Sequence, residues 1–129
     1  MRLLFIMVTY MLLLQSVGVQ AQETNIPTES IVMAIYHAEG GRNTRYPFGI
    51  KSLKYENRTD RSLSRHDWAK WICTNTVNNN KRRFKEYRGD LSFIEFLGSK
   101  YCPVKEHRLN VNWVGNVRSI LQREDRKCK

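Results

Sequence analysis

The stretch that decides the fold is Ile31-Val32-Met33-Ala34-Ile35-Tyr36-His37-Ala38-Glu39-Gly40-Gly41, which Tyr46-Pro47-Phe48-Gly49-Ile50 follows a few residues later. Val32, Ile35 and Glu39 follow each other at spacings of three and four, so they lie on one face of a helix. Because the other members of that face are apolar, the sequence predicts a helix whose buried face ends in a half-buried carboxylate.

The two glycines after Glu39 predict the end of this helix. Gly40 and Gly41 adopt left-handed backbone conformations at little cost, which leaves Glu39 at the C-terminal rim. The helix dipole and the loss of water both disfavour a negative charge there. A carboxyl that keeps its proton in a cleft is the general acid that glycosidic bond cleavage needs. The alternative is a surface Glu that only ends a helix.

The first 21 residues have the pattern of a secretory signal. Met1-Arg2 precedes an apolar run from Leu3 to Leu14, and Val19-x-Ala21 suits cleavage before Gln22. An uncleaved anchor is the alternative. The remaining 108 residues, 22–129, are enough for one compact domain. We therefore expect a signal peptide over residues 1–21, a single domain over residues 22–129, and a secreted or periplasmic location.

The charge balance favours anionic partners. The chain carries 22 Lys and Arg against 12 Asp and Glu, a formal net charge of +10, and removal of residues 1–21 takes away one Arg and leaves +9. Such a surface attracts anionic cell-wall polymers, acidic glycans, membranes or nucleic acid. Because the chain is predicted to be exported, we expect an anionic cell-wall surface and no nucleic acid. The alternative is that the charge only keeps the protein soluble.

Cys73, Cys102 and Cys128 make an odd number of cysteines. In an oxidising compartment we expect a disulfide between Cys73 and Cys102, worth roughly 3–4 kcal/mol for a loop of about 30 residues. Cys128, next to the last residue, is then spare and exposed. The Cys and His spacings match no zinc site, so no metal is expected. We also expect no other cofactor and a monomeric protein.

Apolar periodicity predicts three further helices. Ser64-x-x-Asp67 begins one that runs to about Tyr87. Asp90 is expected to cap a short helix over Leu91-Ser92-Phe93-Ile94-Glu95-Phe96-Leu97, closed by Gly98. Asn110 or Asn112 is expected to cap the last helix, which buries Trp113, Val117, Ile120 and Leu121. The fold class is therefore mainly α, with a polar loop or one small hairpin between Pro47 and Tyr55 as the wall of a cleft.

A cluster of asparagines lies in the longest predicted helix. Asn75 and Asn79 share one face, and Asn80 lies on the apolar stripe of that helix. Asn is a poor residue inside a helix unless its amide has a partner. The cluster indicates either hydrogen bonds to a neighbouring loop or the wall of a sugar-binding cleft.

These stretches carry a family resemblance. Glu39-Gly40-Gly41 followed by Phe48-Gly49-Ile50 resembles the catalytic stretch of lysozyme-like muramidases and soluble lytic transglycosylases. The chain is similar to small secreted bacterial proteins of that class from about Ile31 to Leu121. Three further stretches add to this similarity: Asn75-Thr76, Phe96-Leu97-Gly98-Ser99-Lys100-Tyr101-Cys102-Pro103 and Asn112-Trp113-Val114-Gly115-Asn116-Val117. The resemblance implies a lysozyme-like helical domain, a peptidoglycan substrate, and Glu39 as the acid that protonates the glycosidic oxygen.

The candidate substrate-binding residues come from two sources. The resemblance implies Gly49, Ile50 and Ser52, where Ser52 stands at the position of the Gln usual in transglycosylases; the Ala-Tyr-Asn signature of that family is absent. Ring stacking and amide hydrogen bonds are the usual contacts to sugars. Those chemistries add Tyr46, Asn75, Asn79, Tyr101 and Trp113.

The sequence leaves the second catalytic group open. A hydrolase uses a second carboxylate, about 5–5.5 Å from the acid in retaining enzymes and about 6.5–9.5 Å in inverting ones. Glu56 and Asp60 are the acidic residues of the predicted wall. In a lytic transglycosylase the sugar's own hydroxyl attacks, so one Glu suffices. The competing class is a cationic cell-wall or glycan-binding module with no catalysis.

Overall fold

The structure, a computed structural model, describes residues 22–103 and 105–127. This part of the chain contains no strand, and its α-helices confirm the mainly α fold class. Residues 22–24 are helical, and four longer α-helices follow: α1 over Thr28–Ala38, α2 over Arg65–Phe84, α3 over Phe93–Tyr101 and α4 over Trp113–Lys127. None of the described helices is long and apolar enough to cross a membrane. The predicted signal segment and Cys128 lie outside the described residues.

Helix α1 has the predicted end and the predicted buried face. Ile31, Val32 and Ile35 are fully buried. The helix ends at Ala38, Glu39 is its C-terminal cap, and Gly40 follows with a φ of 101°. The glycine pair therefore ends the helix as expected, because Gly40 adopts the left-handed conformation without a side-chain clash.

Helix α2 begins at the predicted cap and crosses the core. The Ser64 hydroxyl accepts a hydrogen bond from the Asp67 backbone N–H at 3.1 Å. Asn80 is buried on the apolar stripe of α2, and its amide nitrogen donates to the Thr76 carbonyl at 2.8 Å. That local bond satisfies the amide nitrogen, whereas the buried Oδ1 of Asn80 has no hydrogen-bond partner among the described residues.

Helix α3 differs from the prediction at both ends. Its cap is Ser92 rather than Asp90, because the Ser92 and Glu95 side chains bond each other's backbone N–H groups in a capping box. Gly98 does not close α3, which runs on to Tyr101. A Cβ on Gly98 would lie 3.0 Å from Val114 and 3.1 Å from Trp113, so this glycine allows α3 and α4 to pack closely.

The segment between α1 and α2 is a loop with no hairpin. It contains 3₁₀ turns over Gly41–Asn43, Pro47–Gly49 and Tyr55–Asn57. Phe48 and Gly49 have φ values of 57° and 69°. Phe48 and Gly49 are therefore not extended, so no hairpin strand starts at Pro47. A fourth 3₁₀ turn, Arg108–Asn112, leads into α4.

A charged network ties the start of the described chain to α3 and α4. Glu23 pairs with Arg118 at 2.8 Å and also accepts the Ile94 backbone N–H at 2.9 Å. Arg118 further contacts Glu95 and the Ser92 hydroxyl. A cavity of about 720 Å³ lies beside this network, lined by Gln22, Glu23, Ile26, Pro27, Ser30, Ile94, Arg118, Leu121, Gln122, Glu124 and Asp125.

Helix α4 packs along α1 and brings its own start to the end of α1. Trp113, Val117 and Ile120 form the buried face of α4 and join the same core as Ile31 and Ile35. The first residue of α4, Trp113, therefore lies beside Glu39, to which its indole is hydrogen-bonded.

Two glycines lie near the contact between α3 and α4, and we expect their replacement by Ala to have opposite effects on stability. Gly115 is exposed inside α4 with no atom near its missing Cβ, so Gly115→Ala should raise the free energy of unfolding by about 1 kcal/mol. Gly98→Ala should lower it, because the new methyl group presses on Trp113 and Val114. Denaturant unfolding followed by circular dichroism measures both, and a stabilised Gly98→Ala would contradict the close α3–α4 contact.

Candidate active site

The carboxyl of Glu39 lies half-buried at the end of α1, where three elements meet. Its Oε1 accepts a hydrogen bond from the Trp113 indole N–H at 2.9 Å. Within residues 22–103 and 105–127, Glu39 belongs to no ion pair. The described donor to this carboxyl is the neutral Trp113 indole. The Glu39 carboxyl can therefore lose and regain a proton without breaking a salt bridge.

Gly49 supplies the surface under the carboxyl. A Cβ on this residue would lie 2.6 Å from Cδ of Glu39 and 2.7 Å from its Oε2. No real side chain tolerates such distances, so only glycine allows the turn to approach the carboxyl this closely. Glu39 and Gly49 are ten residues apart in the sequence, and both belong to the stretches that carry the family resemblance. The structure brings them into contact.

Tyr101 connects the turn to the indole. Its hydroxyl donates a hydrogen bond to the Phe48 carbonyl, and its ring stacks on Trp113 with centroids 5.6 Å apart. Burial and the neighbouring Cys73 raise the pKa of Tyr101 far above its usual value. The phenol therefore stays protonated and acts as a hydrogen-bond donor.

The two described cysteines lie close to Tyr101, and both are free thiols. The disulfide predicted between Cys73 and Cys102 is thus not formed in this structure. The buried Cys73 thiol is in hydrogen-bonding contact with the Tyr101 hydroxyl. Burial raises the pKa of Cys73 to about 11, and burial together with the Glu39 charge raises that of Cys102.

The other predicted binding residues are arranged more loosely. Ile50 and Asn75 are half-buried, whereas Tyr46, Ser52 and Asn79 are exposed. Asn79 accepts a hydrogen bond from Arg82 on its own helix, and Arg45 lies over the Tyr46 ring. The described hydrogen bonds do not join any of these five residues to Glu39. Of the predicted set, Gly49, Tyr101 and Trp113 are the residues that gather around the carboxyl.

Glu56 and Asp60, the candidates for a second carboxylate, have partners of their own in the loop. Glu56 pairs with Arg65 at 3.4 Å, and a backbone hydrogen bond lowers its pKa. Asp60 accepts from the Ser62 hydroxyl and backbone, which lowers its pKa as well. Both carboxylates are exposed and remain charged at neutral pH. A nucleophilic or charge-stabilising carboxylate must be charged, whereas a general acid must carry a proton.

Sequence reasoning did not anticipate the conformation of Phe48. This ring is fully buried and packs against Tyr36 and His66, with centroids 5.0 and 5.4 Å away. A bulky residue in the left-handed region costs about 1–2 kcal/mol, and such residues cluster at functional sites. The Pro47-Phe48-Gly49 sequence indicated a turn but carried no signal for a left-handed Phe.

Among the described residues, no group of three or more His, Cys, Asp and Glu side chains is arranged to hold a metal ion. Comparison of the chain with protein-family models, with curated proteins and with solved structures gives no match. The chemistry of this site is therefore argued from its own geometry: a half-buried carboxyl, a neutral indole donor, a close glycine turn and protonated thiol and phenol groups.

The raised pKa of Cys73 predicts a loss of stability in alkali. The unfolded thiol ionises near pH 9 and the folded one near 11, so the folded state binds more protons in between. The free energy of unfolding should fall as the pH rises from 9 to 11, by up to about 3 kcal/mol from this group. Denaturant titrations in reductant at several pH values measure the slope.

Cys73→Ala should flatten that slope, whereas Cys102→Ala, at a less buried position, should change it less. Tyr101 contributes with the same sign but is present in every variant. An unchanged slope in Cys73→Ala would contradict the buried, protonated thiol.

Proposed function

We propose that this protein cleaves glycosidic bonds in peptidoglycan or a related cell-wall glycan, with Glu39 as the general acid. The observation that carries the proposal is the setting of that carboxyl: half-buried, held by the neutral Trp113 N–H and packed against Gly49. Protonation of a glycosidic oxygen needs a carboxylic acid that is partly withdrawn from water and fixed in direction.

The other partly buried carboxylates are less suited to this role. Glu23 and Glu95 both contact Arg118, and hydrogen bonds from Ser92 together with Arg118 lower the pKa of Glu95. A carboxylate beside a guanidinium stays charged at neutral pH and has no proton to give. These residues serve the anchoring of the chain start to α3 and α4, and Glu39 is the better candidate for acid chemistry.

The neighbouring groups argue against a thiol or phenol nucleophile. The thiolate is the reactive form of cysteine, and the raised pKa of Cys73 keeps that thiol protonated at neutral pH. Tyr101 is protonated for the same reason. Acid catalysis through Glu39 is then the reaction that this set of groups supports best.

A single acid favours lytic transglycosylation. In that reaction the carboxyl first protonates the leaving oxygen, and the carboxylate then accepts the proton of the sugar hydroxyl that attacks. No second carboxylate is required, which agrees with Glu56 and Asp60 having separate partners in the loop. Hydrolysis remains the competing outcome, and the products distinguish the two reactions because reducing ends and anhydro ends differ by one water.

The surface charge supports an anionic wall as the partner, and the signal-like pattern of residues 1–21 supports a secreted or periplasmic location. Residues 41–64, in the loop that carries Gly49, hold six Lys or Arg against two acidic residues. Several of these basic residues, among them Lys51, Lys54 and Arg61, are exposed. A positive surface beside the site concentrates an anionic polymer there. The same observation favours the second candidate, a cationic wall-binding module without catalysis.

The first test is Glu39→Gln, which keeps the shape of the side chain and removes the transferable proton. We expect glycan cleavage to fall by about 10²–10⁴-fold with an unchanged helical spectrum. The assay incubates residues 22–129 with peptidoglycan and identifies the released fragments by chromatography and mass spectrometry.

Glu56→Gln and Asp60→Asn are matched controls that should keep full activity if one acid suffices. Loss of activity in either would instead identify the second carboxylate of a hydrolase. If the wild type adsorbs to the wall in a salt-dependent way but releases no fragment, the binding module is correct and the enzyme is not.

A second test uses two glycines with similar left-handed backbones. Gly49 has a φ of 69° and Gly41 a φ of 57°, but only a Cβ on Gly49 would strike the Glu39 carboxyl. Both Ala variants carry the same kind of backbone strain. We expect Gly49→Ala to lose cleavage far beyond its loss of stability and Gly41→Ala to retain it; equal activities would exclude a role for the Gly49 contact.

A further inference from the structure

The aromatic pair Tyr101 and Trp113 lies beside Glu39 but offers little surface to a ligand. Trp113 is only 5% exposed, and its ring stacks on Tyr101 with an interplanar angle of 26°. A sugar that stacks on an aromatic ring needs an open ring face. The stacking role that the sequence suggested does not fit the burial of Trp113, and Trp113 covers one face of the partly buried Tyr101 ring.

Their contacts instead form a closed circuit around the carboxyl. Trp113 donates to Oε1 of Glu39 and stacks on Tyr101. Tyr101 donates to the Phe48 carbonyl, and the next residue, Gly49, packs under the carboxyl. We call these five residues the carboxyl circuit. Each member fixes the next, so the orientation of Glu39 depends on all of them.

We propose that Trp113 and Tyr101 are positioning residues that act through Glu39 and not on the substrate, an inference that rests on the proposed function. Because the Trp113 N–H occupies Oε1, the transferable proton is carried by Oε2. Tyr101 holds the strained Phe48–Gly49 turn in the conformation against which the carboxyl packs.

The proton transfer explains what the indole contributes. The proton moves from Oε2 to the glycosidic oxygen while the bond from that oxygen to the anomeric carbon breaks, and the bonding electron pair stays on the departing oxygen. Glu39 is left as a carboxylate, whose charge the fixed Trp113 N–H stabilises. A donor that is already in place when charge develops lowers the barrier and changes substrate binding little.

Three titratable side chains lie around Glu39. Cys73 of α2, Tyr101 of α3 and the following Cys102 all have raised pKa values. They therefore stay neutral below about pH 8. Lys51 and Glu106 act on Cys102 from the two flanking loops. Glu106, and His66, whose ring packs on Phe48 of the carboxyl circuit, are therefore the neighbours that need control variants, Glu106→Gln and His66→Gln.

The first experiment measures the hydrogen bond without any assay of activity. In ¹H–¹⁵N spectra, the Trp113 indole resonance, assigned by its loss in Trp113→Phe, should shift with pH between about 3 and 8 as Glu39 ionises. The shift should disappear in Glu39→Gln and persist in Glu106→Gln and His66→Gln, while the indole of Trp71, 53% exposed on the outer face of α2, serves as the internal reference. A Trp113 resonance that does not titrate, or that titrates unchanged in Glu39→Gln, overturns the inference.

The second experiment separates positioning from substrate contact. Trp113→Phe should lower kcat by about 10- to 100-fold and Tyr101→Phe by less, each with KM changed less than about twofold. Trp71→Phe is the matched control and should change neither constant. A raised KM with an unchanged kcat would make these residues substrate contacts and overturn the inference.

Tyr101→Phe removes one hydroxyl and keeps the stacked ring, so it tests the circuit even if Trp113→Phe does not fold. The outcomes also distinguish the two proposals. A titrating indole in a protein that cleaves no glycan would refute the proposed function and leave the hydrogen bond established. Cleavage that depends on Glu39, with an indole that ignores Glu39, would refute only the positioning role.

Discussion

The close contact between the Glu39 carboxyl and the backbone of Gly49 is the constraint on which the rest of the site depends. A carboxyl leaves water only when its polar atoms find partners, and here the partner is an indole N–H at 2.9 Å. That donor is the first residue of α4, so α4 must begin beside the end of α1. The packing of these two helices is thus set at one end by a hydrogen bond and along its length by Val117, Ile120 and the α1 core.

The turn under the carboxyl carries strain that the core offsets. Phe48 is left-handed, at a cost of about 1–2 kcal/mol, yet burying a Phe side chain contributes about 1.5–3 kcal/mol. The Tyr101 hydroxyl adds a hydrogen bond to the same residue. Burial of the ring and fixation of the carbonyl together hold a conformation that an isolated peptide would avoid, and this conformation turns Gly49 towards Glu39.

Local signals in the sequence predicted much of this arrangement. Apolar spacing and the glycine pair predicted the buried face and the end of α1, and Ser64 predicted the start of α2, because caps and periodicity depend on neighbours along the chain. The same reasoning failed at α3, where two plausible caps, Asp90 and Ser92, lie two residues apart and only the reciprocal bond with Glu95 decides between them. Gly98 was misread as a helix end because its reason is tertiary: it lies against Trp113 and Val114.

The sequence could not predict the roles of Tyr101 and Trp113, because these roles also depend on tertiary contacts. An aromatic residue near a predicted cleft is equally consistent with a sugar platform and with a buried support, and only the burial of Trp113 decides between these. The charged groups on the surface are separate from the groups that contact Glu39. Exposed Lys and Arg residues surround the loop, whereas Glu39 itself is contacted by neutral groups. An anionic polymer can then be attracted over a Debye length of about 8 Å without a cation reaching the carboxyl and holding it in the charged form. The proposed attraction by the surface and the proposed proton transfer by Glu39 are therefore compatible in one small domain, because the cations and this carboxyl occupy different environments.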